Sequence, residues 1–312
     1  MISSQSRSQI VSAFILSVIL GLITELTQAD NLYFIDAHSQ IDQEIEDINL
    51  VLKRMNENNV QKTILSARGK RSDADIVKLA RKSSGRIIAS IRTKGGKYTK
   101  NKPWFYRKLE KQSNNGKFGA IAEVLMYHAQ KGSKAKEVEI YPRDERVQAA
   151  LNAARRNNWP FVAHIEFASL GSDKRKRYME EFESLLKENS SHPVLLIHMG
   201  QLQPQEAEIL LARYKNFHLI TSHADPITVN SSSQPWVNMF QGNQFKPHWK
   251  ALMLKLPDRF VFALDNVWAK HWKSSDYSNK MKLWHKALAD LPAEIAEKIA
   301  HGNAERLYQL NK

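Results

Sequence analysis

The sequence has no cysteine. Disulfides, thiolate-held zinc and thiol nucleophiles are therefore excluded, and any metal must be held by His, carboxylate, amide or water. Acidic residues are few against basic ones, 32 Asp plus Glu to 46 Lys plus Arg, so the formal net charge is +14 with His neutral. A surface of that sign attracts anions of many kinds. No glycine-rich phosphate turn follows the first strand-like segment, which argues against an open dinucleotide-binding sheet. Past residue 29 no apolar run approaches the roughly 20 residues needed to span about 30 Å of hydrocarbon.

One apolar run does stand at the start. Residues 10–23, "IVSAFILSVILGLI", follow a stretch whose one charge is Arg7, and "TELTQA" after it ends in a small residue. This pattern predicts a secretory signal peptide over residues 1–29, cleaved after Ala29, and a single mature domain over 30–312. An uncleaved anchor is the alternative, for which the run is short. The expectation is an exported protein, periplasmic or secreted, with no stable membrane insertion after cleavage. Cleavage removes Arg7 and Glu25, one charge of each sign, so the mature charge is unchanged.

From Leu32 onward, short β-rich runs alternate with helical patterns. Eight strands are predicted: "LYFIDAH", "VQKTILSA", "RIIASIR", "FGAIAEVLM", "WPFVAHIEF", "PVLLIHMG", "FHLITS" and "RFVFALD". An amphipathic helix over 42–59 follows the first, and helical segments follow each of the others. The rhythm breaks over residues 222–246, rich in Ser, Asn and Pro, which read as a long loop with a short helix around Trp236. This is the element count of an α/β chain folded as a (β/α)8 TIM barrel with a C-terminal helical extension. The basic stretch 86–117 interleaves Tyr98, Trp104, Phe105 and Tyr106. Such interleaving suits single-stranded nucleic acid. No nucleic-acid motif accompanies it, so the preferred reading is a solvated surface whose aromatics pack on the barrel.

Polar residues recur at one end of these strands. Asp36, His38 and Gln40 alternate through "FIDAHSQID" and so should face one way. Glu123, His164, His198 and Asp265 lie in the apolar runs of strands four, five, six and eight. A polar group in such a run needs a partner, or it costs several kcal/mol. In a barrel these strand ends meet at the C-terminal face, where active sites of this fold lie. Imidazole and carboxylate suit zinc, manganese or iron. The same residues would also serve as a metal-free buried hydrogen-bond network.

The order Asp-x-His-x-Gln on strand one, His on five, His on six and Asp on eight resembles the amidohydrolase superfamily, closest to its amidohydrolase-related hydrolases and decarboxylases. "HGNAERLYQL" near the C-terminus is similar to that group's closing helix. The resemblance implies one divalent metal ion, zinc first and manganese or iron otherwise. It implies metal ligands at His38, His164 and Asp265, with Glu123 at the place of a fourth-strand carboxylate ligand. It places Asp265 as general base and His198 as a ligand or oxyanion stabiliser. Where the family has a second strand-one histidine this chain has Gln40, a weaker neutral donor. The chemistry implied is hydrolysis by metal-activated water. Non-oxidative decarboxylation, nuclease activity, or a degraded barrel that binds an anionic ligand are the alternatives. Arg68, Arg92 and Lys94 should line the rim and bind an anionic substrate. Residues 222–246, with His223 and Trp236, should form a lid.

Overall fold

Alternating strands and amphipathic helices bury both faces of a parallel sheet by wrapping the helices around it. The computed structural model describes residues 32–132 and 135–310 and shows that arrangement closed into a barrel. The leader-like residues 1–29 lie outside the described residues. Strands β1 (Phe34–Ile41), β2 (Val60–Ala67), β3 (Ile87–Ile91) and β4 (Ala120–Ile121) form one parallel sheet in that order. A second sheet contains β5 (Val124–His128), β6 (Val138–Glu139), β7 (Phe161–Ile165), β8 (Val194–Leu196), β9 (Phe217–Ile220) and β12 (Phe260–Val261). Its order is β12-β9-β8-β7-β5-β6, and β10 (Phe240–Gln241) and β11 (Gln244–Phe245) form a separate hairpin.

The two sheets are one barrel. Ala122 and Glu123 alone separate β4 from β5, which are halves of the fourth barrel strand. At the other junction the Ala37 N–H donates to Phe262 O at 3.1 Å, the Asp265 N–H to His38 O at 2.8 Å, and the Gln40 N–H to Asn266 O at 2.8 Å. These bonds tie the eighth strand to the first. A small apolar cluster that includes Ile35, Val162, Leu195 and Val261 takes in Ala304, Leu307 and Tyr308 of the C-terminal extension. The Asn303 amide, donating to Phe260 O at 2.8 Å, fastens that extension to the start of β12. The larger core lies between the strands and the surrounding helices and holds Phe182, Trp249 and Trp284.

Boundaries differ from expectation where side chains compete with the regular pattern. The first helix is Leu50–Glu57, not 42–59. Before it, Asp42 and Asp47 accept the N–H groups of Glu44 and Asn49 at 2.9 Å, and such Asx turns displace a helix. In residues 222–246 the short helix is Pro226–Asn230, ahead of Trp236, with Asp225 capping it through the Thr228 N–H. The closing helix is broken by a π-turn, Lys298–Gly302, where Ile299 O accepts the Phe262 N–H. No helix among the described residues is long and apolar enough to cross a membrane.

Candidate active site

The pairing of β1 with β2 shifts register between Asp36 and Ser39. A bulge of this kind re-aims side chains, so Asp36 does not join His38 and Gln40. Its carboxylate accepts instead from Ser39 Oγ at 2.5 Å, the Leu264 N–H at 2.9 Å and the His38 N–H at 3.3 Å, pinning the seam between first and eighth strands. Burial pushes Asp36 up to about 6, and those hydrogen bonds restrain the shift.

His38, Gln40, Glu123, His164, His198 and Asp265 meet at the C-terminal end of the barrel, each 4 % exposed or less. The Gln40 amide nitrogen stands between two carboxylates. It donates to Asp265 Oδ1 at 2.9 Å and Glu123 Oε1 at 3.1 Å, and lies 3.3 Å from His38 Nε2. Its own Oε1 has no partner among the described residues. Glu123 Oε2 is 2.6 Å from His164 Nδ1, and Lys94 Nζ pairs with Glu123 Oε1. Lys94 was expected free on the rim. It turns inward because a carboxylate buried in an apolar strand requires a counter-charge. Burial alone would raise Glu123; Lys94 and His164 outweigh it and hold the carboxyl well below its usual range. Burial would likewise lower His164, but Glu123 and Glu166 hold it up to about 9.

His198 and Asp265 lie past the ends of their strands, in left-handed backbone with φ of 55° and 46°. His198 begins a left-handed run through Gln201. Its Nδ1 is 2.9 Å from Ser222 Oγ, which leaves Nε2 free to face Asp265 Oδ2 at 3.6 Å. His223, also left-handed at 59°, stacks on His198 with ring centroids 4.3 Å apart, and its Nε2 is 3.4 Å from the same oxygen. Burial, then the neighbouring imidazole, lowers His198; burial lowers His223 to about 4. Burial would raise Asp265, but His38 and His223 hold it ionised. Trp236 covers both rings, 4.8 Å from His198 and 4.9 Å from His223. Lys131 Nζ sits 4.6 Å over Trp236 and bonds Glu166 at 2.9 Å. The 222–246 segment thus packs Trp236 against the two imidazoles.

The remaining rim residues are only partly free. Arg68 pairs with Asp42 at 3.1 Å and lies 3.7 Å over Trp268, and Arg92 donates to Gly69 O at 2.8 Å. Three participants were not anticipated. Glu166 is fully buried and 3.2 Å from His164 Nε2; its place two residues along β-rich "AHIEF" was the available signal. Ser222 ends the predicted seventh strand, and nothing local marks it. Lys280, on the helix Ser274–Leu288, is 2 % exposed with an ammonium that has no hydrogen-bond partner among the described residues. It reaches the His223 and His271 imidazoles electrostatically.

These donors fit a divalent cation. Glu123, His164 and His198 form one group whose ligand atoms lie within 4.8 Å of one another, and His198, His223 and Asp265 form a second. His223, half-buried and with neither ring nitrogen hydrogen-bonded, is a further donor beside this group.

A family model described as Amidohydrolase matches residues 128–310. No curated protein matches the sequence significantly. Among solved structures, the chain is similar to 2,6-dihydroxybenzoate decarboxylase from Rhizobium, at 16 % identity and a TM-score of 0.58, covering 90 % of this chain and 100 % of that one. It is similar to a probable 2-pyrone-4,6-dicarboxylic acid hydrolase from Acinetobacter baumannii with citric acid bound, at 13 % identity, TM-score 0.53, and coverage of 89 % and 100 %. A TIM-barrel protein from Bordetella bronchiseptica matches at 16 % identity, TM-score 0.55, with 94 % and 92 % covered. At these identities the likeness is one of fold, and all three agree with the closed barrel.

Proposed function

The chain belongs to the amidohydrolase family, and from that premise we propose that it is a metal-dependent hydrolase acting on a small anionic substrate. The observation that carries the reading is the meeting of His38, Glu123, His164, His198 and Asp265, from five strands, in one buried cluster. A bound divalent ion, zinc first with manganese or iron as alternatives, would supply Lewis acidity and lower the pKa of its water. Asp265, held ionised by His38 and His223, would serve as the proton acceptor. His198, oriented by Ser222, presents Nε2 toward the reacting centre. Arg68 and Arg92 receive the anionic group at the rim, and Trp236 excludes bulk water. Citrate in one structure of this fold is a small carboxylate of the class proposed.

The test is hydrolysis of a panel of carboxylate esters, lactones and phosphoesters by the full chain supplied with zinc, manganese or iron. Asp265→Asn and His164→Ala are expected to lower kcat by about 10²- to 10⁴-fold. Unchanged turnover in Asp265→Asn, or no hydrolysis with any of the three metals, sinks the reading. Trp236 over His198 and His223 also suits non-oxidative decarboxylation, which needs no water. Release of carbon dioxide from an aromatic carboxylate, without uptake of labelled oxygen from water, would identify that reaction instead.

A further inference from the structure

Independently of the chemistry at the barrel mouth, we propose that the groove between helices Asp73–Lys82 and Pro103–Ser113, on the outer wall of the barrel, binds single-stranded nucleic acid, with Trp104 as its stacking platform.

The groove has a volume of about 840 Å³, and its apolar lining includes Val77, Trp104 and Phe118. Lys78, Arg81, Lys82, Arg107, Lys111 and Lys117 line it as well, and each is exposed. Among the described residues the lining holds one carboxylate, Asp73. That carboxylate is already taken by Lys108 and by the Gln112 amide, which donates to it at 3.0 Å. The ion pairs made by these two helices are Arg71 with Asp75, Lys108 with Asp73 and Arg156 with Glu110. None of the six cations takes part in one among the described residues. The basic run on helix Ser172–Glu188 is different: Lys174, Arg175, Lys176 and Arg177 each meet a carboxylate. Unpaired like charges so crowded repel one another until an anion neutralises them.

Trp104 departs from its neighbours. Of the aromatics interleaved in the basic stretch, Tyr98 and Phe105 pack into the core, edge to face at 5.0 Å. Trp104 remains 41 % exposed at the groove. Lys97 and Lys108 flank it, with ammonium groups 3.6 and 5.2 Å from the ring centroid. An exposed indole set among cations matches what a single strand offers: phosphates meet Lys and Arg, and an unstacked base lies on the aromatic face. Lys97, on its flexible stem, gives up that face to the base and follows a phosphate. Every base has such a face, so the groove reads no sequence. A duplex keeps those faces inside its own stack. The concave groove, about 15 Å long between helices of 10 and 11 residues, suits a short run of chain rather than a flat lipid surface.

Fluorescence anisotropy of a labelled oligothymidylate of about ten nucleotides, titrated with the full chain, tests this. Binding should weaken with salt, with a log–log slope of about −0.7 for each phosphate contacted. Arg81→Gln combined with Lys111→Gln should flatten that slope by about 1.4, two phosphates' worth. Lys176→Gln combined with Arg177→Gln removes the same charge from the paired run and should leave the slope unchanged. Trp104→Ala should weaken binding roughly 5- to 150-fold, and Trp104→Phe should restore most of it. A duplex of the same length should bind more weakly than the single strand. Melting curves establish that each variant is folded. Equal losses in the two double variants would mean diffuse attraction by net charge and would overturn the proposal. Wild-type affinity in Trp104→Ala, or no oligonucleotide binding at low salt, would overturn it too. Tighter binding to heparin or to phosphatidylserine vesicles than to the oligonucleotide would assign the groove to an acidic polysaccharide or a membrane instead.

Discussion

Glu123 lies between a lysine and a histidine with 3 % of its surface exposed. Breaking a buried ion pair from one side leaves an uncompensated charge and costs about 3–5 kcal/mol. Lys94→Met should therefore destabilise the protein by about 3 kcal/mol. Lys94→Met combined with Glu123→Gln should recover most of that loss, because the orphaned charge is gone. Urea unfolding of the two single variants and the double variant checks this. Additive losses would show that the two side chains are not coupled. At this scale much of the site was legible. A charged or imidazole side chain inside an apolar strand run has few explanations, and Glu123, His164, His198 and Asp265 were found that way. Asp36 was misplaced because a bulge does not show in the alternation. Lys94 was misplaced because its reach to Glu123 follows from the tertiary fold.

Ile197–Gln201 is the element on which His198 depends. Gly200 has φ of 61°, and a Cβ there would collide with Leu196 Cδ2. Gly200→Ala should destabilise by about 1–3 kcal/mol through strain and overpacking, and should move the imidazole away from Ser222. A lowered Tm together with weaker cation binding is the expected pair of results. A Tm unchanged within error would mean that the turn tolerates a side chain. Strands and helices were legible as elements because their periods are 2 and 3.6 residues. Left-handed turns have no period, so the run after β8 and the left-handed backbone of His223 and Asp265 were not visible in advance. The first helix was overextended for a related reason: Asp42 and Asp47 form turns that the amphipathic count ignores.

For the whole molecule, several buried or half-buried histidines are held as neutral groups. Burial lowers His128 to about 4 and His218 to about 3, and lowers His271 further. The sign follows from linkage. Unfolded histidine takes a proton near 6.5 and these folded imidazoles do not, so acid favours the unfolded chain. Stability is fully present above about 6.5 and is lost as pH falls toward 3–4. Each such histidine contributes a slope of about 1.4 kcal/mol per pH unit in that window. Tm measured from pH 7 to pH 4 should fall, and His218→Asn should make the fall shallower. A profile that rises toward acid would contradict the burial of these rings. Fold class was the most legible feature of all, since eight alternations leave little choice of architecture. Closure of the barrel was expected from that count alone.

Closure also sets an order in time. The Asp265 N–H bonds His38 O, and the Gln40 N–H bonds Asn266 O. Partners so distant along the chain meet only after most of the intervening loop entropy has been lost, which makes such contacts late events in folding. During synthesis the first strand must wait until the eighth has been made before the two halves of the site come into existence together. A nascent or truncated chain that stops short of Asn266 carries Glu123, His164 and His198 but lacks the seam bonds that bring His38 and Gln40 against the eighth strand. The candidate site is completed with the last stitch of the barrel.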